Sequence, residues 1–441
     1  MNSLSSPSLP TKEHAAWADA ETGVLIHFDM PVFEPSYSFR DQWGYTPSTE
    51  KFNPTDLNTD QWLETASKAG AKYAVLTTKH CSGFCLWPTK AHDYHIGNSP
   101  WKNGNGDVVG DFIRSCAKFN IKPGFYYSSV TNAYLNVDNP GFVRSGIREE
   151  QERYNRIVEQ QLTELWSNYG KLFEIWFDGG YLSKERGGGD VLSLLKKLQP
   201  DAVVFQGPES SKPLRWVGNE HGHAPYPCWG TNDFISDSDG VHARKDLCGN
   251  PYGRIWCPAE ADTPIRSSAK AFQCGWFWKE GEDHLIVPVE ELVEYYCDTV
   301  GRNCNLLMGM VIDKRGLCPD KDAENFAEFG REVNRLFGHP FAKTSGEGDV
   351  LEIKLDRPEK ITHAVIMEDI SQGEKVLSYK LEAFDGKAWI ELSEGSCIGH
   401  KRIERLPETI CRSFRIRCLK TKGTPIFRSV ELFNSSSRKT K

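Results

Sequence analysis

The chain has 441 residues, too many for one small core, so two domains are the default expectation. A net charge of −7 with no basic stripe argues against nucleic acid as the main partner, and the apolar and charged fractions are those of an ordinary globular protein. Thirteen cysteines without a CxxC pair offer neither a readable zinc site nor a closed disulfide framework. Cys81, Cys85, Cys274 and Cys304 lie in apolar runs and read as buried free thiols. The 13 Trp, 15 Tyr and 23 Phe suit a sugar-binding cleft as well as a core. No basic stretch followed by an apolar one opens the chain, and no apolar run reaches membrane-spanning length. The expected setting is the cytoplasm, or secretion with a signal already removed, without membrane association.

In chain order the first three-quarters alternate strand and helix signals. Residues 23–28 read as a buried strand. Residues 57–69 read as a helix, with Trp62, Leu63 and Ala66 at helical spacing. A strand follows at 73–78, a helix at 108–119, a third strand at 123–127 and a long helix at 149–169. The strand ending at Asp178 comes next, then a helix at 189–198 and a strand at 202–206. Shorter strand candidates lie at 215–217, 271–278 and 305–309, and 289–300 reads as a helix. About eight repeated units of this kind predict a closed, (β/α)8-like barrel rather than an open sheet. Long Gly-, Pro- and Asp-rich loops between 207 and 262 are of the kind usually kept for function. After Gly338-His-Pro340 the texture changes to short alternating segments at 350–355, 361–367, 376–384, 413–417 and 426–433. These predict a C-terminal antiparallel β-sandwich, so the expected division is 1–340 for the barrel and 341–441 for the sandwich.

The run Lys171-Leu-Phe-Glu-Ile-Trp-Phe-Asp178-Gly-Gly is the most informative stretch. Five of the eight residues up to Asp178 are apolar, the pattern of a strand buried on both faces. A carboxylate at the end of such a strand is costly unless it is hydrogen-bonded or functional. Two readings stand: Asp178 caps the turn with Gly179 and Gly180, or it is a catalytic acid at the C-terminal face of the barrel.

The motifs Gly23-Val-Leu-Ile-His27-Phe, Trp43-Gly-Tyr, Lys79-His80-Cys-Ser-Gly-Phe-Cys-Leu-Trp87-Pro, Gly124-Phe-Tyr-Tyr127-Ser and Glu174-Ile-Trp176-Phe-Asp178-Gly-Gly occur in one order. Together they resemble the family-29 glycoside hydrolases, the α-L-fucosidases. The resemblance spans roughly residues 15–310 and extends into the sandwich. It implies a retaining mechanism in which one carboxylate attacks the anomeric carbon, and the other protonates the leaving oxygen and then activates water. Such a pair stands about 5 Å apart. By the resemblance Asp178 is the nucleophile. Glu220, in Arg215-Trp-Val-Gly-Asn-Glu220, is favoured as the acid/base over Glu260. The runs at Cys85 and Glu220 resemble the subgroup acting on branched α-1,3/1,4-linked fucose.

The same matches imply His27, His80 and Trp43 as partners of the sugar hydroxyls. They imply Tyr127 and Trp176 as the lining of the ring and its methyl group, with Trp276 or Phe277 closing the pocket. Glu260 is expected to bind substrate if it is not the acid. No cofactor and no metal are implied; the substrate is a fucosylated oligosaccharide or glycoconjugate. Cys81 and Ser82 stand where many of the family carry a His and an Asp, which puts one hydroxyl contact in doubt. An acidic loop at 230–250 has no assigned place. Three alternatives remain open at this point: a fucosidase of other linkage preference, a fucose-binding barrel without chemistry, and a metal-dependent hydrolase using Glu220-His221-Gly-His223.

Overall fold

The computed structural model describes residues 8–234 and 247–435. Most of the acidic loop at 230–250 therefore lies outside the described residues. Among these, eight parallel strands close into a barrel: β1 (Thr22–His27), β2 (Tyr73–Lys79), β3 (Lys122–Tyr127), β4 (Glu174–Phe177), β5 (Val203–Phe205), β6 (Pro213–Trp216), β7 (Ala259–Pro264) and β8 (Cys304–Val311). Each strand pairs with its neighbours in chain order, and β8 closes on β1 with Thr22 opposite Leu306 and His27 opposite Val311.

The helices are α1 (Lys12–Ala18), α2 (Thr59–Lys68), α3 (Val108–Phe119), α4 (Arg148–Asn168), α5 (Val191–Leu198), α6 (Val289–Thr299) and α7 (Asp320–Phe337). Side-chain caps set where several begin. Asn58, Asp107 and Asp190 accept from backbone N–H groups of the first turns of α2, α3 and α5. Between β5 and β6, and again between β6 and β7, the chain crosses without an α-helix among the described residues. Among the described residues no helix is long and apolar enough to cross a membrane.

Period-two alternation divides the strand residues into two cores. Val24, Ile26, Ala74, Leu76, Phe125, Tyr127, Ile175 and Phe177 face outward and pack under the helices. Leu25, Tyr73, Val75, Tyr126, Trp176, Phe205, Leu214 and Leu307 fill the lumen. Trp17 of α1 joins this inner cluster.

One expected strand is displaced. Residues 271–278 do not form β7; Phe272–Gly275 is a short 3-10 turn in which Gln273 and Cys274 take positive φ (47° and 55°). The seventh strand is Ala259–Pro264, whose two acids and proline hide it from any search for apolar runs. Helices α1 and α7 add to the expected elements. Cys274 is exposed rather than buried, because it lies on that turn.

After α7 the chain forms six antiparallel strands: β9 (Ala342–Glu347), β10 (Val350–Glu368), β11 (Val376–Phe384), β12 (Trp389–Gly395), β13 (Arg402–Thr421) and β14 (Ile426–Phe433). They run as one hydrogen-bonded sheet in the order β9-β14-β10-β13-β11-β12. Two very long strands tie the two halves together. The first half of β10 pairs with the end of β13, its second half pairs with the start of β13 and with β14, and register shifts separate them. Ile353, Ile361, Ile366, Leu381, Phe414 and Val430 share the core between them. The segments expected at 350–355 and 361–367 are thus one bent strand. The sheet docks on the barrel through Val365, Ile403 and Phe433. Glu374 also links the two, accepting from the Gly230 N–H at 2.8 Å and from Asn303 Nδ2 at 2.5 Å.

Candidate active site

The strand alternation that builds the lumen also aims Asp178. On β4, Glu174 and Trp176 point inward while Ile175 and Phe177 point outward. One more residue turns the next side chain to the lumen at its upper rim. Gly179 and Gly180 then take φ of 72° and 79°, a region glycine enters without steric cost, and carry the chain away. The Gly179 N–H donates to Gln206 Oε1 at 2.7 Å, and the Gly180 N–H donates to Phe177 O at 3.3 Å. With those amides served elsewhere, the Asp178 carboxylate does not cap the turn. It instead accepts a 2.7 Å hydrogen bond from Tyr126 Oη.

Above this rim lies a pocket that opens to solvent. Asp178, Glu220, His27, His80, Trp176 and Trp276 all line it. Glu220 arrives on the loop after β6, and its Oε2 accepts from Trp276 Nε1 at 3.1 Å. The His27 ring lies 4.8 Å from that of Trp276 and 5.3 Å from that of Phe277. His80 stacks on Tyr126, with ring centres 5.5 Å apart.

Burial sets the electrostatics of the pocket. It pushes Asp178 above the usual carboxylate range, helped by the Glu220 charge and opposed by the Tyr126 hydrogen bond and by Arg40. Burial lowers His27 to about 3 and holds His80 well below the usual imidazole range. Both rings are therefore neutral, each with one donor and one acceptor, which suits a row of sugar hydroxyls.

Three expected residues stand elsewhere. Glu260 is sealed inside the barrel, where Oε1 accepts from Tyr73 Oη at 2.7 Å and Oε2 from Trp176 Nε1 at 2.9 Å. It holds a pocket residue in place but does not reach the pocket. Tyr127 faces the outer helices and donates to Gln161 Oε1 at 2.7 Å. The adjacent Tyr126 is the one in the site, since a one-residue step on a strand reverses the face. Trp43 lies in an adjoining cleft, reached past Arg40 and Asp178, with the Arg144 guanidinium 4.3 Å from its ring centre.

Asp262 is a pocket residue that the sequence does not disclose. It accepts from Trp216 Nε1 at 2.6 Å and is held well above the carboxylate range by burial and by the Glu220 charge. Tyr126 is placed by the register of β3 against β4, where it stands opposite Trp176. Asp262 carries no signal in the sequence.

The metal-hydrolase motif is not assembled. His223 Nδ1 pairs with Asp298 Oδ2 at 2.8 Å, and the Glu220 carboxylate serves Trp276. Among the described residues, the group of His, Cys and acid side chains close enough to share an ion is His80, Cys81 and Asp178.

A (β/α)8-like barrel whose rim presents three acids, Asp178, Glu220 and Asp262, among neutral imidazoles and indole rings is an architecture suited to a glycoside hydrolase. The chain belongs to the α-L-fucosidase family: the profile of that family, Alpha-L-fucosidase, matches residues 5–335. Alpha-L-fucosidase 1 of Arabidopsis thaliana is 29% identical over 98% of this chain and 89% of its own length. The crystal structure of a putative α-L-fucosidase from Bacteroides thetaiotaomicron superposes with a TM-score of 0.91 at 33% identity, covering 98% of this chain and 100% of that one. A Ruminococcus gnavus fucosidase solved with fucose shares the fold, with a TM-score of 0.80 at 22% identity over 99% of this chain and 97% of its own.

Proposed function

We propose that this enzyme is a retaining α-L-fucosidase that releases terminal α-1,3/1,4-linked fucose from branched oligosaccharides or glycoconjugates, with Asp178 as nucleophile and Glu220 as acid/base. The observation that carries the assignment is the division of the three candidate acids. Asp178 and Glu220 line one pocket, while Glu260 is spent on Tyr73 and Trp176 beneath it. In the first step Asp178 attacks the anomeric carbon and Glu220 gives its proton to the departing oxygen. In the second step Glu220 takes a proton from water, which displaces the Asp178 carboxylate and restores both groups. Neutral His27 and His80 hold the hydroxyls, and Trp276 flanks the ring while fixing the Glu220 carboxylate.

The leaving sugar departs on the side of the proton donor. An open groove runs from Glu220 past His221, Lys270 and His284. Contacts there add binding energy from beyond the reacting centre, which favours branched substrates. The test is a panel of α-1,2-, α-1,3-, α-1,4- and α-1,6-fucosylated oligosaccharides with an aryl fucoside. Lewis-type trisaccharides should have the highest kcat/KM. Efficient cleavage of 2'-fucosyllactose with no preference for branches would refute the linkage assignment while leaving the fucosidase reading intact. Proton NMR of the first-formed sugar anomer tests retention.

A further inference from the structure

Beside the sugar pocket stands a thiol that the glycosidase mechanism does not use. Cys81 follows His80 at the end of β2, lines the cleft that adjoins the pocket at Asp178, and has its Sγ 3.6 Å from Ser128 Oγ. One ligand atom each from His80, Cys81 and Asp178 lie within 4.8 Å of one another. His80 is only 8% exposed, yet its Nδ1 has no hydrogen-bond partner and lies 3.9 Å from Asp29 Oδ2. The next residue, Ser82, is turned away from this group, and its Oγ donates to Asp29 Oδ1 at 2.7 Å.

A tetrahedral ion with bonds of about 2.0–2.3 Å holds its ligand atoms roughly 3.5 Å apart. The three side chains must therefore close inward by about 1 Å on binding. A tetrahedral ion held by three side chains keeps its fourth position for water. A thiolate, an imidazole and a carboxylate form a borderline-soft set that selects zinc-like ions over Mg2+ or Ca2+.

We propose that His80, Cys81 and Asp178 form a binding site for a zinc-class divalent cation, which occupies the sugar pocket and blocks hydrolysis by tying up the Asp178 carboxylate. Binding forms a metal–sulfur bond as the Cys81 S–H proton passes to solvent. The imidazole ligates neutral, the carboxylate ligates as the anion, and no electron is transferred. The two anionic ligands cancel the charge of the ion, so the occupied site carries no net charge into a buried place. The blocking action rests on the reading of Asp178 as nucleophile; the binding does not.

The test titrates the purified, full-length enzyme with Cd2+, reading the thiolate-to-metal absorption band, and with Zn2+, by calorimetry and by inhibition of aryl-fucoside hydrolysis. The expected result is a single tight equivalent, a Cd2+ band, and Zn2+ inhibition competitive with L-fucose, with Mg2+ inert. Cys81→Ser should lose the band and raise the Zn2+ inhibition constant about tenfold or more. Cys274→Ser, which removes the exposed thiol next in chain to the pocket residue Gln273, should keep both. Cys81→Ala, with melting checked against wild type, guards against a folding artefact. The proposal is overturned if Cys81→Ser binds Cd2+ as wild type does, if the band follows Cys274, or if fucose does not compete with Zn2+. If no fucoside is hydrolysed at all, the absorption titration alone decides the site, separately from the failure of the fucosidase reading.

Discussion

The segment running from β4 to Asp178, and strand β7, each carry two inward acids, and the contrast between the upper and lower pairs explains the site. Asp178 and Asp262 stand at the rim; Glu174 and Glu260 stand beneath. Burial raises all four above the ordinary carboxylate range. A strand rises about 3.3 Å per residue, so Glu260 lies roughly 6–7 Å below Asp262. That depth closes it off. Tyr73 and Trp176 satisfy Glu260, and Trp17 Nε1 donates to Glu174 Oε2 at 3.3 Å. A perturbed acid is therefore not evidence of catalysis by itself; height on the strand and access to a pocket decide.

The contrast is tested most sharply at the rim. Asp178→Ala should lower kcat/KM by roughly four orders of magnitude or more, because the covalent step is lost. A fluorinated fucoside should leave its label on the Asp178 peptide; a label elsewhere would break the assignment. Glu220→Ala should lose roughly 10²–10⁴-fold, most with poor leaving groups. Azide should restore turnover of an activated fucoside and give a product of unchanged anomeric configuration. Glu260→Ala should show weakened substrate binding and no azide rescue, since it acts through Trp176. Rescue in Glu260→Ala alone would reverse the order of the two layers.

Tyr126→Phe probes the bond between the rim and the lumen. Losing a hydrogen bond to a charged group costs about 1.5–3 kcal/mol, hence roughly 10–100-fold in kcat/KM. The sign of the pH effect is fixed. Asp178 must be ionised to attack, so activity falls as pH drops through its raised pKa. The Tyr126 bond lowers that pKa, so its removal should move the acid limb of the pH–rate profile upward. A downward or absent shift would show that Tyr126 does not act on the Asp178 charge.

Much of this is legible in the sequence because the barrel strands are apolar on both faces and end in punctuation. The strand before Asp178-Gly-Gly and the helix Val108–Phe119 stand where their patterns place them. What the sequence hides, it hides for identifiable reasons. Ala259–Pro264 is a strand whose inward positions carry acids, so hydrophobicity gives no sign of it. The aromatic run near Trp276 looks like that strand but is a loop dipping into the pocket. Choosing Tyr127 over Tyr126 is an error of one residue in a period of two. Glu220 and Glu260 cannot be separated in sequence, because only three-dimensional depth distinguishes a loop acid at the rim from a strand acid two residues below it.

The lower pair offers the smallest and most diagnostic effect. Burial, and then the neighbouring Glu260 charge, hold Glu174 well above its usual range; burial alone raises Glu260, against hydrogen bonds from Tyr73, Glu174 and Trp176. Two acids in such contact are accommodated by sharing a proton. An acid with a raised folded-state pKa binds more protons folded than unfolded, so its contribution favours folding at low pH and is lost as pH climbs from the unfolded value toward the folded one. Glu174→Gln removes that proton requirement while preserving shape and an acceptor for Trp17. Its melting temperature should equal or slightly exceed that of wild type at neutral pH, and should fall less steeply as pH rises above the usual glutamate range. Catalysis should stay within about tenfold of wild type, because the residue touches no reacting atom. Paired melting curves across that range, with kcat/KM at one pH, check both halves. A steeper pH slope would show that the lower acids are held ionised. A large loss of kcat with unchanged melting would show that they share in the chemistry above them.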